Sequence, residues 1–136
     1  MIIIDNYLQD KKILDVMKNN ETWKNFPTYN WWDGWWKCEP RNVIEKLIKL
    51  IWRQLPVENK FAGFEYWSNS QSKNQSLSWH LDKDEKLNSL NKKIISPSIG
   101  HIYYSKVENL EGGYLEICTN GKIDDPDNFE RIKPIE

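Results

Sequence analysis

Apolar residues recur along the first sixty positions at helical spacing, and alternate or cluster in short runs afterwards. Ile2-Ile3-Ile4 reads as a short strand. Asp10 is placed to cap a helix whose Ile13, Leu14 and Met17 fall on one side, ending near Asn19-Asn20. A second helix is expected after Asn42. Glu45 stands three residues on, and Ile44, Leu47, Ile48 and Ile51 form one stripe that stops before Pro56. Between the helices, Trp31-Trp32 and Trp35-Trp36 flank a turn at Asp33-Gly34.

The texture changes after Lys60. An aromatic strand is predicted over Phe61 to Ser68, a polar loop over Asn69 to Gln75, and a strand over Ser76 to Asp82. A charged loop follows from Lys83 to Lys93, then strands at Ile99–Ser105, Tyr114–Cys118 and Phe129–Ile132. Turn residues at Glu111-Gly112-Gly113 and Asn120-Gly121 separate them. Helices first and strands after predict an α+β arrangement. The 136 residues are expected to form one domain, with 1–60 as its strand and helix region and 61–136 as its sheet region.

Composition narrows the field. A hydrophobic content of 39% supplies a core, and a net charge of −1 gives no sign of a nucleic-acid binder. Cys38 and Cys118 are far apart and out of metal spacing, so two free thiols are expected. The N-terminus lacks the basic start and long apolar stretch of a secretory signal. No apolar run approaches the roughly 18 residues that span a bilayer. A cytoplasmic protein with no membrane partner is the expectation.

The chemistry concentrates at His80-Leu81-Asp82. In a strand, residues two apart share a face, so Ser78, His80 and Asp82 point one way and Leu77, Trp79 and Leu81 the other. An imidazole and a carboxylate are thereby held side by side, an arrangement that can present two of the three ligands of a 2-His-1-carboxylate iron site or form a purely structural His–carboxylate pair. The same parity separates Ile102, Tyr104 and Lys106 from His101, Tyr103 and Ser105 in the later strand. If Tyr104 faces a pocket, His101, the only other histidine, points away from it.

Three segments taken together, His80-x-Asp82, Gly100-His101-Ile102-Tyr103-Tyr104 and Glu111-Gly112-Gly113-Tyr114-Leu115, resemble the 2-oxoglutarate- and Fe(II)-dependent oxygenases of the prolyl-hydroxylase-like branch. The resemblance covers about Phe61 to Glu136. It implies N-terminal helices packed on a double-stranded β-helix, or jelly roll, of which this chain holds the first part. It further implies His80 and Asp82 as Fe(II) ligands and Tyr104 as a hydrogen-bond donor to the distal carboxylate of 2-oxoglutarate. Ile102 and Leu115 become apolar walls of the cosubstrate pocket, and Tyr66, on the strand before His80, a further lining residue. The activity implied is C–H hydroxylation by O₂, coupled to oxidative decarboxylation of 2-oxoglutarate, with ascorbate as an accessory reductant. The substrate, protein or small molecule, stays open. In the family the third ligand, a histidine, and a carboxylate-binding arginine follow beyond the point matching Glu136. A site short of its third ligand is therefore expected of this chain alone.

A second class of function competes. A non-catalytic jelly-roll or cupin-like module would use the tryptophan-rich surface of Trp31, Trp32, Trp35 and Trp36 to hold a sugar or protein partner, without any metal. Packing of these rings against the sheet is the bland alternative, since tryptophan is mostly buried.

Overall fold

The computed structural model describes residues 1–24, 26, 29–55, 61–69, 75–118 and 128–135. They belong to two compact units, Met1–Ser70 and Gln71–Glu136. The first carries α1 (Lys11–Lys18), α2 (Asn20–Lys24), β1 (Asn30–Trp32), α3 (Val43–Trp52) and β2 (Phe64–Tyr66). The second carries α4 (Glu85–Asn91), β3 (Leu115–Cys118) and β4 (Phe129–Ile132). Each unit pairs its two strands antiparallel, so the described residues combine helices with two small sheets.

In the first unit both long helices start where their caps require. The Asp10 carboxylate accepts from the Lys12 and Ile13 amides at 2.9 and 3.2 Å, satisfying donors that the first helical turn leaves open. Asn42 does the same for the Glu45 amide at 2.9 Å. From α3, Ile44, Leu47, Ile51 and Trp52 enter the core, where Leu8, Met17, Trp32 and Tyr66 meet them as buried residues. Tyr7 ties the N-terminal segment to the end of α3 by donating to the Ile51 carbonyl at 3.0 Å.

The register Asn30↔Tyr66, Trp31↔Glu65, Trp32↔Phe64 sends Trp32, Phe64 and Tyr66 inward and Trp31 outward. Phe64 is the hub of an aromatic cluster. Trp32, Trp35, Trp36 and Trp52 all lie with ring centroids 5.5–5.7 Å from it. Trp35 and Trp36 are thus half-buried packing residues, whereas Trp31 and Trp67 are exposed. The strand foreseen at the start of the sheet region therefore closes the first unit's ribbon, paired with a strand that sequence patterning read as a tryptophan turn.

Gly34 makes that turn possible. Its φ of +90° is one that L side chains rarely adopt, and a Cβ there would fall 2.5 Å from the Trp36 ring. Gly34→Ala is expected to cost about 2 kcal/mol through strain and displacement of Trp36. Urea denaturation followed by tryptophan emission reads this directly, and an unchanged midpoint would refute it.

Among its described residues, the second unit is organised by hydrogen bonds more than by buried side chains. Of these residues only Pro134 is buried. Asp84 caps α4 by accepting from the Leu87 amide at 2.7 Å, and Lys92 closes the helix with φ +54°. β3 and β4 pair Leu115↔Ile132, Glu116↔Arg131, Ile117↔Glu130 and Cys118↔Phe129. Arg131 donates from Nε to Glu116 at 2.7 Å, and its guanidinium lies 5.2 Å from the Tyr114 ring centre and 5.3 Å from that of Phe129. Trp79 packs on Phe129 with centroids 5.9 Å apart.

Several local expectations come out differently. Ile2–Ile4 are exposed and form no strand, and Ile99–Ser105 is likewise irregular. A strand exists only when another strand accepts its ladder bonds, and neither segment has such a partner among the described residues. The expected charged loop contains α4. The turn predicted at Asn120-Gly121 lies outside the described residues. Cys38 and Cys118 are not joined in a disulfide, in keeping with the sequence reading.

Candidate functional site

His80 and Asp82 are brought together, though not by a strand. The segment Ser76–Asp82 carries no regular structure, and Leu77, Trp79 and Leu81 are exposed. Local geometry holds the pair instead. The imidazole Nδ1 lies 2.8 Å from the Ser78 carbonyl oxygen, a group that can only accept. That contact assigns the proton of a neutral ring to Nδ1 and leaves a lone pair on Nε2. Nε2 in turn stands 3.5 Å from Asp82 Oδ1.

This arrangement fits a metal ion. Metal-bound histidines commonly donate their other ring N–H to a backbone carbonyl, which fixes the tautomer and the ring plane. Two donors each about 2.1 Å from one ion can stand up to about 4.2 Å apart, so a 3.5 Å separation is within reach. The two side chains are 50% and 44% exposed. With a protonated ring the same pair would be an ordinary exposed ion pair of little energetic weight.

No third ligand joins them among the described residues, where no group of three or more His, Cys, Asp or Glu side chains is placed to hold a metal. His101 is not drawn into the pair. Its imidazole pKa is lowered by desolvation, and the Tyr103 and Tyr104 phenols beside it are raised by the same cause. His101 and Tyr104 are exposed as whole residues and Tyr103 is half-buried. Ile102 is exposed, and Leu115 is half-buried on β3 at the Ile132 pairing position.

Tyr66 lies in the first unit with its hydroxyl committed. It donates to Glu45 Oε1 at 2.8 Å and accepts from Asn42 at 3.1 Å. Glu45, fully buried, also receives the Arg41 backbone N–H at 2.6 Å and the Arg41 Nε at 3.0 Å. Arg41 reaches on to the Trp31 carbonyl at 2.7 Å. Burial alone would raise the Glu45 pKa, but the hydrogen bonds from Arg41 and Tyr66 outweigh it and hold the carboxyl below its ordinary value. Sequence reasoning marked Glu45 only as a helix-start residue; its role as the buried acid of this network depends on Tyr66, 21 positions away.

No helix among the described residues is long and apolar enough to cross a membrane. Compared with known proteins, the chain matches no protein-family model, no curated protein and no solved structure.

Proposed function

We propose that this chain carries the metal-binding motif of an Fe(II)- and 2-oxoglutarate-dependent hydroxylase built on a jelly roll. The observation that supports it most is the His80–Asp82 pair, with Nε2 left as the lone-pair nitrogen 3.5 Å from Oδ1. The order of the three sequence segments adds to it.

In this reading His80 Nε2 and Asp82 Oδ1 hold Fe(II), and a third protein ligand comes from outside the described residues. Bound iron supplies a place for 2-oxoglutarate and O₂ and the oxidising power for C–H hydroxylation. The chain's own part is to bind and orient. The Ser78 carbonyl keeps His80 in its ligating tautomer. The Tyr104 hydroxyl donates to the distal carboxylate of the cosubstrate, while Ile102 and Leu115 exclude water from its methylene chain. A phenol whose pKa is raised by desolvation stays protonated at neutral pH and suits such a donor. Tyr66, bonded to Glu45, contributes no donor here.

Two histidines make the test simple. Mn(II) is titrated into the protein while the imidazole proton resonances of His80 and His101 are followed, with and without 2-oxoglutarate. Selective, saturable broadening of His80, at lower Mn(II) when 2-oxoglutarate is present, is expected. Equal broadening of both rings, or indifference to 2-oxoglutarate, would overturn the assignment.

A further inference from the structure

A cleft of about 540 Å³ opens on the first unit, away from its core. Its main wall is one stripe of α3. Lys46, Lys49, Leu50 and Arg53 stand at positions i, i+3, i+4 and i+7, on the side opposite Ile44, Leu47 and Ile51. Ile13 of α1 and Pro40 add apolar lining to that of Leu50, and Glu39 and Gln54 add polar lining.

Charge in this cleft is unbalanced. Lys49 is paired with Glu39 at 2.8 Å, but Lys46 and Arg53 have no carboxylate partner among the described residues. Helix electrostatics account for only part of this. Lys49 and Arg53 lie at the C-terminal end of α3, where the helix dipole favours cations. Lys46 lies in the first turn, where the dipole opposes it. The Glu39 side chain is itself 80% exposed, yet its carboxylate reaches Lys49, so the cleft already holds one anion supplied by the chain.

We propose that the cleft binds a small soluble anionic amphiphile, a phosphomonoester or carboxylate joined to a short apolar body. The anionic head would lie among Lys46, Lys49 and Arg53, displacing Glu39, and the apolar body on Ile13, Pro40 and Leu50. The volume is in the range of small-molecule sites. Neither the His80–Asp82 pair nor the hydroxylase reading enters into this.

Octyl phosphate, below its micelle-forming concentration, is the probe, with inorganic phosphate and octanol as its two halves. Backbone ¹H–¹⁵N resonances of the whole chain report the binding. Saturable shifts centred on Ile13, Lys46, Leu50 and Arg53 with octyl phosphate, and at least tenfold weaker binding of either half, are expected. Lys46→Glu with Arg53→Glu should weaken octyl phosphate by at least tenfold while leaving the helical circular dichroism intact. Glu39→Gln should tighten it about threefold by removing the internal competitor. Equal affinity for octanol, indifference to charge reversal, or shifts confined to the second unit would each overturn the proposal. So would co-sedimentation with phosphatidic-acid vesicles that depends on Lys46 and Arg53, which would assign the cleft to a lipid headgroup instead.

Discussion

An Arg41→Met chain is expected to be less stable than the parent at pH 7 and to recover stability as the pH is lowered. The parent should do the opposite. In the parent, Glu45 has its folded pKa held below the ordinary value, so its contribution is present above the unfolded carboxylate pKa of about 4.3. That contribution is lost as the pH falls through the lower, folded pKa. Removing the guanidinium leaves a fully buried carboxylate with the backbone N–H of residue 41 and the Tyr66 hydroxyl as its remaining donors. Desolvation, the largest single influence on this group, then prevails and raises the folded pKa. A raised pKa stabilises below the unfolded value, and that stability disappears as the pH rises through the folded one.

A carboxylate stranded at this depth carries a penalty of about 3 kcal/mol. Glu45→Ala should be milder at neutral pH, because the Arg41 side chain it abandons is largely exposed and water can take over. Urea midpoints from pH 3 to 8 measure all three chains. If Arg41→Met lost stability on acidification just as the parent does, Arg41 would not be what keeps Glu45 ionised.

His80→Ala and Asp82→Asn are each expected to weaken Mn(II) binding by at least about tenfold, on the scale known for disturbing a metal site. The fold should hardly respond. Both side chains are near half-exposed, and exposed substitutions of this kind stay within about 0.5 kcal/mol. Asp82→Asn is the sharper variant, since it keeps shape and volume while removing the charged donor. Titration of each variant, with the thermal midpoint recorded in parallel, separates ligand loss from unfolding. Undiminished Mn(II) affinity in either variant would remove that residue from the site.

What could be read from sequence follows the range of the forces involved. α1 and α3 were legible because Asp10 and Asn42 act on amides two or three residues away. β3 and β4 were legible because strand-forming residues are bounded by turn formers. The Ser76–Asp82 segment was read as a strand from its alternation, yet alternation specifies faces and cannot supply a pairing partner. α4 was missed because its charged and amide-rich composition hides a short apolar pair, Leu87 and Leu90; Asp84 ahead of Glu85 was the available signal. At the site, adjacency of His80 and Asp82 was legible from their spacing. The Ser78 carbonyl was not, because backbone acceptors leave no mark in a sequence.

The placement of the tryptophans decides what an unfolding experiment on this chain can report. Trp23, Trp31, Trp32, Trp35, Trp36, Trp52 and Trp67 all belong to Met1–Ser70, and Trp79 alone to Gln71–Glu136. Intrinsic fluorescence is therefore, to a close approximation, a gauge of one half of the molecule. Melting of the β3–β4 ribbon would pass almost unrecorded, apart from the change in Trp79 as it leaves Phe129. A single smooth emission curve would not establish two-state behaviour for the whole chain, which requires probes in both halves to agree. Trp79 observed alone, with selective isotopic labelling of its indole ring, would provide the missing second gauge.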